Sequence, residues 1–485
     1  MVLLQATCTM MWFGLAAAST DVQAYYGRDS HWVNVQSSIY LGVFCVVALP
    51  VSSFIDLYGV EVSLTGASVL SLAGSLLQIV AGRSCLWLVT CGSVTAALAQ
   101  PFIINSVASL TTTYFHEREH ATVTMAGSLG GFVGSGFTLG MSPMLVEHIG
   151  VPGLLLVHAA VCAAALVLSL AAFTTCFGGV PRGPRRGGPP PPPPTTMALP
   201  FGDAPAQYSE YAAALATTAR VPGLAALALA FTFNQGSAWG FSEVVQQSIT
   251  TGTGIAPTTL GTFLLAMMPV QVASGMAVAR YVDETHFFRK ALLSMSVVQL
   301  AATAAMRYAA DLLTGHGDAH VPTYAAPLLL GSLALQQISA APGYGLGLEM
   351  ASALARKGLD PGTTVRTEGS AVGGLGLLAE LASFALGLLY GNVLQTPRRI
   401  FDGMLAMAFV GCIGFILLPF DAPRDMPSPD DPLAEALVDG GEGEDGEGGE
   451  LWRASRDLRR ASLPVEWDRG AAAAGGAGQQ KVVYG

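Results

Sequence analysis

The thirty residues from Gly150 to Gly179 contain no Asp, Glu, Lys or Arg. A stretch of that kind is unsuited to the surface of a water-soluble domain, because about twenty consecutive apolar residues match the hydrocarbon thickness of a bilayer. It is one of a series. Comparable stretches fall at about 3–25, 34–56, 62–82, 86–113, 121–145, 150–177, 222–247, 257–281, 290–309, 323–354, 369–394 and 400–420. The fourth and tenth are longer than one passage needs, which tilt or extension beyond the membrane explains.

Twelve segments predict an all-α membrane protein with twelve transmembrane helices in two pseudo-symmetric six-helix bundles. Composition agrees: 52% of the 485 residues are hydrophobic and 12% charged, against roughly a quarter charged in soluble proteins. The first segment begins almost at Met1, where a cleavable signal peptide is the alternative. It lacks a basic leader and its apolar stretch is too long for one, so a retained helix is expected.

The segments divide the chain. Residues 1–177 form the expected N-terminal bundle and 222–421 the C-terminal one. Between them, 178–221 carries R-G-P-R-R-G-G and six prolines at 189–194, a composition suited to a flexible linker. Residues 422–485 form an acidic tail, expected to be disordered. The run Glu442–Glu450 in that tail supplies much of the net charge of −10, so the charge says little about a partner and gives no sign of nucleic acid.

Lys and Arg favour one side. With both termini cytoplasmic, the inner loops hold Arg118, Arg182, Arg185, Arg186, Arg220, Arg289, Lys290, Arg356, Lys357 and Arg366, and the outer loops hold Arg28, Arg83, Arg307, Arg398 and Arg399. Ten against five is the cytoplasmic bias of a multi-pass protein. It does not choose between plasma membrane and endomembrane.

Catalytic and cofactor signals are missing. The sequence has no G-x-x-x-x-G-K or G-x-S-x-G pattern, and its H-E-x-x-H match, His116 to His120, falls in a short polar loop between two spans rather than along a helix, so neither an enzyme nor an ATP-driven pump is expected. The seven cysteines make no C-x-x-C pair or metal-ligand spacing. His158 is the one histidine squarely within a span; a haem ligand is conceivable, but a hydrogen-bonded core residue is the commoner role. No cofactor is expected.

Polar groups within spans are costly and therefore functional candidates. They are Asp21, Gln23, Gln100, Asn105, Asn234, Glu243, Gln246, Gln247, Glu349 and Glu380, with no basic residue clearly beside them at depth. Carboxylates without cations favour a cationic or neutral solute. Trp12 lies near the middle of the first span, and Trp239 roughly 7 Å beyond the middle of the seventh at 1.5 Å per residue. Both are too deep for an interfacial belt. An indole from each half would make a cation–π cage; ordinary packing or lipid-facing tryptophans are the alternative.

The halves share one more feature. Asp56 and Asp283 each end the second helix of their half, with Asp56 in a D-x-x-G turn that includes Gly59. An anion at a helix C-terminus needs a basic group or a neighbouring helix N-terminus to answer it. The pair is expected to latch a cytoplasmic gate, as in transporters whose halves rock about a central site.

Specific motifs carry a family resemblance. The run A-L-A-Q-P-F-I-I-N at 97–105, T-T-Y-F at 112–115, H-E-R-E-H and A-T-V-T resemble solute carrier family 49, the branch of the major facilitator superfamily that includes the feline leukaemia virus subgroup C receptor-related transporters. Trp12 spaced before Tyr26-Gly27, the Asp56 turn, P-M-L-V ending at Val146, Gln246-Gln247, Asp283, G-Y-G-L-G-L-E ending at Glu349, and Glu368 follow in order, so the resemblance spans about 5–420.

The resemblance implies a major facilitator fold and movement of a small solute. Characterised members carry choline or ethanolamine, some are proposed to carry haem, and a lysosomal branch is linked to vitamin-like solutes. In choline-transporting members a helix-one tryptophan, a helix-seven tyrosine and glutamines of helices five and eleven hold the cation. These fall here at Trp12, Trp239, about Phe132, and Glu380.

Glu380 would thus bind the cation itself, or take up a proton and couple transport to pH. The expectation is a monomeric secondary transporter of a small organic cation, with Trp12, Trp239, Gln100, Asn105, Gln246, Gln247, Glu349 and Glu380 around the solute and Asp56, Gly59 and Asp283 at the gate. A haem or porphyrin transporter, or a membrane receptor or scaffold using the linker and tail, are the alternatives.

Overall fold

In a computed structural model, residues 1–83, 85–176, 213–214, 216–221, 223–253, 255–314, 323–357, 367–389 and 396–419 are described. Most of the Pro/Gly-rich linker and all of the acidic tail lie outside these residues. The described end of the linker is helical at 216–219, and the Thr218 and Thr367 hydroxyls lie 2.8 Å apart. That end of the expected linker is therefore ordered.

The described residues form helices and no strands. In order they are α1 (Val2–Ala17), α2 (Ser19–Tyr26), α3 (Ser30–Tyr58), α4 (Val60–Ala81), α5 (Leu86–Tyr114), α6 (His120–Ala171), α7 (Leu224–Thr253), α8 (Pro257–Thr285), α9 (Phe288–Thr314), α10 (Ala325–Lys357), α11 (Glu368–Leu389) and α12 (Pro397–Ile416). Short 3-10 and π turns precede and follow α6.

Two departures from one helix per span balance each other. The first span, expected to be continuous, breaks at Ala18 (φ −112°, ψ 36°) and bends by 70° between α1 and α2. Ser19, Thr20 and Asp21 there favour a fresh helix start over continuation. Conversely, α6 runs 52 residues and holds two passages, divided at Gly150 (φ 70°, ψ 173°). A left-handed φ suits glycine alone. Twelve passages result.

By length and composition alone, seven helices suffice to cross a membrane, or eight if α1 and α2 are one span. Helices α7, α9 and α10 are outside that set because they carry polar residues inward. Asn234 donates to Ser296 at 3.0 Å, Gln299 to the Asn234 carbonyl at 3.3 Å, and Gln235 to the Ala340 carbonyl at 3.2 Å. Backbone and side-chain polar groups satisfied in this way survive a low-dielectric setting.

Close packing within the N-terminal bundle depends on glycine. A Cβ at Gly74 would stand 2.7 Å from the Gly92 carbonyl, so α4 and α5 approach backbone to backbone. The His158 imidazole packs onto Gly14 of α1, buried at 2% exposure. That is core packing, and it accounts for a lone histidine in an apolar span.

One apolar core crosses between the bundles. Ala108 of α5 and Ala121, Met125 and Leu129 of α6 pack with Phe231, Ala279, Val282, Leu346, Leu348 and Ala351 from the second half. This core lies toward the end of the molecule that carries Asp56 and Asp283, and it leaves a cavity on its other side.

Candidate functional site: a cavity between the bundles

The cavity holds about 970 Å³ of empty space, including the part open to solvent. Helices of both halves wall it: α1, α5 and α6 from the first, α7, α8, α10 and α11 from the second. Four residues singled out in the sequence converge there, namely Trp12, Gln100, Trp239 and Glu380.

Each is held by its neighbours. The Trp12 indole stacks on Phe13, with centroids 4.6 Å apart, and lies near-parallel to Tyr40 at 6.4 Å. Trp239 meets the Tyr344 ring edge-on at 4.9 Å. Both are favoured arrangements of aromatic quadrupoles, and they fix each indole's pose. Gln100 of α5 donates to Glu380 of α11 at 3.3 Å, so a hydrogen bond joins the two bundles at the cavity wall. Glu380 is 1% exposed.

Among the described residues, no Lys, Arg or His lines the cavity. A carboxylate and two indoles in a low-dielectric recess create negative potential, which attracts a cation and repels an anion. Phe132, at the position aligned with a family glutamine, also lines the cavity, adding a ring where an amide would be.

Two further expected solute contacts, Asn105 and Glu349, lie elsewhere. Asn105 donates to the Ser52 hydroxyl at 2.8 Å and sits where α3 and α5 meet Gly373 of α11. Glu349 is buried below the cavity; it accepts from Thr124 at 2.8 Å and from Arg356 at 3.1 Å, with His120 Nδ1 3.7 Å away. Thr124 belongs to the first half and Arg356 to the second, so this carboxylate ties bundles together. The Gln246 and Gln247 side chains lie outside what is described. Asp21 and Gln23, polar residues of the first span, sit exposed and half-buried on α2.

Several lining residues were not singled out in the sequence. Gln5, Gln271 and Gln337 line the cavity and satisfy the same rule, a polar group inside an apolar span, that selected Gln100. Tyr344 stands within the G-Y-G run of α10 but was read as part of a motif rather than as a wall.

Asp56 and Asp283, the residues expected at a gate, make a symmetric pair of joints. Asp56, ending α3, accepts from the backbone N–H of Gly369 at 2.9 Å and of Ser370 at 3.0 Å, and from the Ser370 hydroxyl at 2.8 Å. Asp283, near the end of α8, accepts from the N–H groups of Ala121 at 2.9 Å and Thr122 at 2.8 Å. Each carboxylate thus caps a helix N-terminus of the opposite half, α11 or α6, and answers its unpaired donors and dipole. Gly59 (φ 92°) makes the turn after Asp56 and donates to the Ile55 carbonyl.

Solved structures share the overall fold. An outward-facing bacterial homologue of the iron transporter ferroportin, with soaked iron, aligns with a TM-score of 0.60 at 11% identity, covering 86% of this chain and 96% of that one. A major facilitator superfamily transporter, FucP, in the outward conformation, aligns at 0.60 and 12%, covering 87% and 98%. At such identity the likeness is one of fold.

Sequence likeness narrows the branch. A choline/ethanolamine transporter, flvcr2b, of Danio rerio is 27% identical over 139 residues, 28% of this chain and 29% of that protein. Solute carrier family 49 member A3 of Danio rerio is 31% identical over 122 residues, 23% and 26%; its counterpart in Xenopus tropicalis is 26% identical over 155. Over these segments the chain is similar to members of solute carrier family 49. The matched segments span about a third or less of these relatives. No protein-family model matches.

Proposed function

We propose that this chain is a secondary transporter of a small organic cation, choline-like or ethanolamine-like, working by alternating access. The observation that carries the reading is the convergence of Trp12, Trp239 and Glu380 on one inter-bundle cavity without a basic lining residue. Two indoles attract a quaternary or primary ammonium through their faces, and Glu380 supplies the opposite charge. The matched choline/ethanolamine transporter supports the same solute class.

Movement follows from where the bundles join. The Asp56 and Asp283 joints and the Met125–Leu129 core close one end. For the solute to leave there, both carboxylates must release their helix N-termini while the bundles pivot about the cavity. On the charge bias of the loops that end is cytoplasmic, with both termini on the same side. The proposed working unit is a monomer.

A haem or porphyrin cargo is the competing reading within the family. Its carboxylates would face Glu380, and neither a histidine nor a basic group lines the cavity to hold it. The test is uptake of radiolabelled choline into proteoliposomes holding wild type, Trp12→Ala or Trp239→Ala. Saturable uptake by wild type, lost in both variants, is expected. Haem binding that free choline does not displace, from folded protein that takes up no choline, would overturn the reading.

A further inference from the structure

Five hydroxyl-bearing side chains line the cavity: Thr9, Ser128, Ser135, Ser242 and Tyr344. Four are spoken for. Thr9 donates to the Gly131 carbonyl at 3.0 Å, Ser128 to Thr124 at 2.8 Å, Ser135 to Phe132 at 3.1 Å, and Ser242 to Ala238 at 2.9 Å. The Tyr344 phenol makes no hydrogen bond among the described residues, although the residue is only 4% exposed.

The Tyr344 ring is held rigidly. Trp239 meets it at 4.9 Å, Phe231 at 5.9 Å and Phe132 at 6.1 Å, and Phe132 belongs to the opposite bundle. Its flanking glycines make room: a Cβ at Gly343 would stand 2.9 Å from the Gln235 amide nitrogen, and one at Gly345 would stand 2.8 Å from the Met125 sulfur. Glu380 lines the same cavity. A fixed phenol ring therefore stands beside the Trp239 indole, in a cavity it shares with the carboxylate.

From this geometry we infer that Tyr344 is a specificity-determining residue whose phenol reads the hydroxyl of an amino alcohol, setting it apart from a plain alkylammonium. The inference rests on the organic-cation reading above. An amino alcohol carries its hydroxyl a short spacer from the nitrogen, so with the ammonium against Trp239 the hydroxyl reaches the neighbouring phenol. A site that hydrogen-bonds a solute hydroxyl discriminates against the analogue lacking it, because the buried partner is then left unpaired.

The experiment measures inhibition of radiolabelled choline uptake in proteoliposomes by choline and by ethyltrimethylammonium, which keeps the shape and loses the hydroxyl. Wild type should favour choline by about tenfold, the worth of one hydrogen bond in a water-poor site. Tyr344→Phe keeps the ring and its three aromatic neighbours, and should bring the two inhibitors to within about twofold of each other. Ligand-induced thermal stabilisation of purified protein gives the same ratio without requiring turnover.

Three results would overturn the inference: no preference in wild type, a preference that survives Tyr344→Phe, or a preference that instead vanishes in Gln5→Leu. Absence of any saturable cation uptake or stabilisation in wild type would instead sink the organic-cation reading on which it stands.

Discussion

At the scale of the residue, Glu380 stands where the family resemblance implies a glutamine. An amide there would be neutral at every pH; a carboxylate bridged to Gln100 changes the charge of the cavity. On the proposed reading, Glu380→Gln removes the anionic partner of the cation, and uptake should fall by about tenfold or more, as when a charge-assisted contact is lost. The variant should also flatten the pH dependence of uptake. Equal rates and equal pH profiles for wild type and Glu380→Gln would show that the carboxylate neither binds the solute nor exchanges a proton.

Asn105 and Glu349 illustrate the limit of reading residues singly. Both are polar and deep, as a solute contact would be, yet Asn105 bonds Ser52 and Glu349 bonds Thr124 and Arg356. Depth identifies a costly group. It does not say whether a solute or another helix answers it.

At the scale of the element, α3 and α8 end in carboxylates that cap α11 and α6. Interaction of an anion with a helix N-terminus is worth up to about 2 kcal/mol in a partly buried geometry. Asp56→Asn or Asp283→Asn keeps the shape and weakens that term, so each should shift the population toward the state open at that end. Ser109, whose hydroxyl lies 3.3 Å from a Cβ position at Gly369, sits beneath the Asp56 joint. Maleimide should label Ser109→Cys faster in the Asp56→Asn background; an unchanged rate would mean that Asp56 does not hold the joint closed.

The joint on the α11 side requires glycine as well. A Cβ at Gly373 would run into the Ser52 hydroxyl and stand 2.9 Å from the Asn105 amide nitrogen. Close approach of α11 to α3 and α5 is what brings Gly369 and Ser370 within reach of Asp56. The latch is therefore a property of two helix faces as much as of one acid.

At the scale of the whole molecule, the helical region makes up the proposed carrier and the acidic tail follows it in sequence. If the protein transports through the inter-bundle cavity, deleting residues 422–485 should leave choline uptake within about twofold of wild type, since the segment's composition does not support a packed core. Loss of all activity on truncation, with the helical region still folded, would favour a receptor or scaffold whose tail does the work.

The sequence by itself determined the number of passages, the two halves and the chemistry available inside them, because bilayer thickness and the cost of buried charge act on local runs of residues. It also marked Asp56 and Asp283, since a carboxylate at a helix C-terminus needs an answer from elsewhere. Only the tertiary structure decided which polar groups share a cavity. Trp12, Gln100, Trp239 and Glu380 come from four helices, and their convergence depends on how those helices cross and turn. The same holds for Tyr344: the sequence shows a tyrosine between glycines, while packing against Trp239, Phe132 and Phe231 turns its phenol into part of the wall.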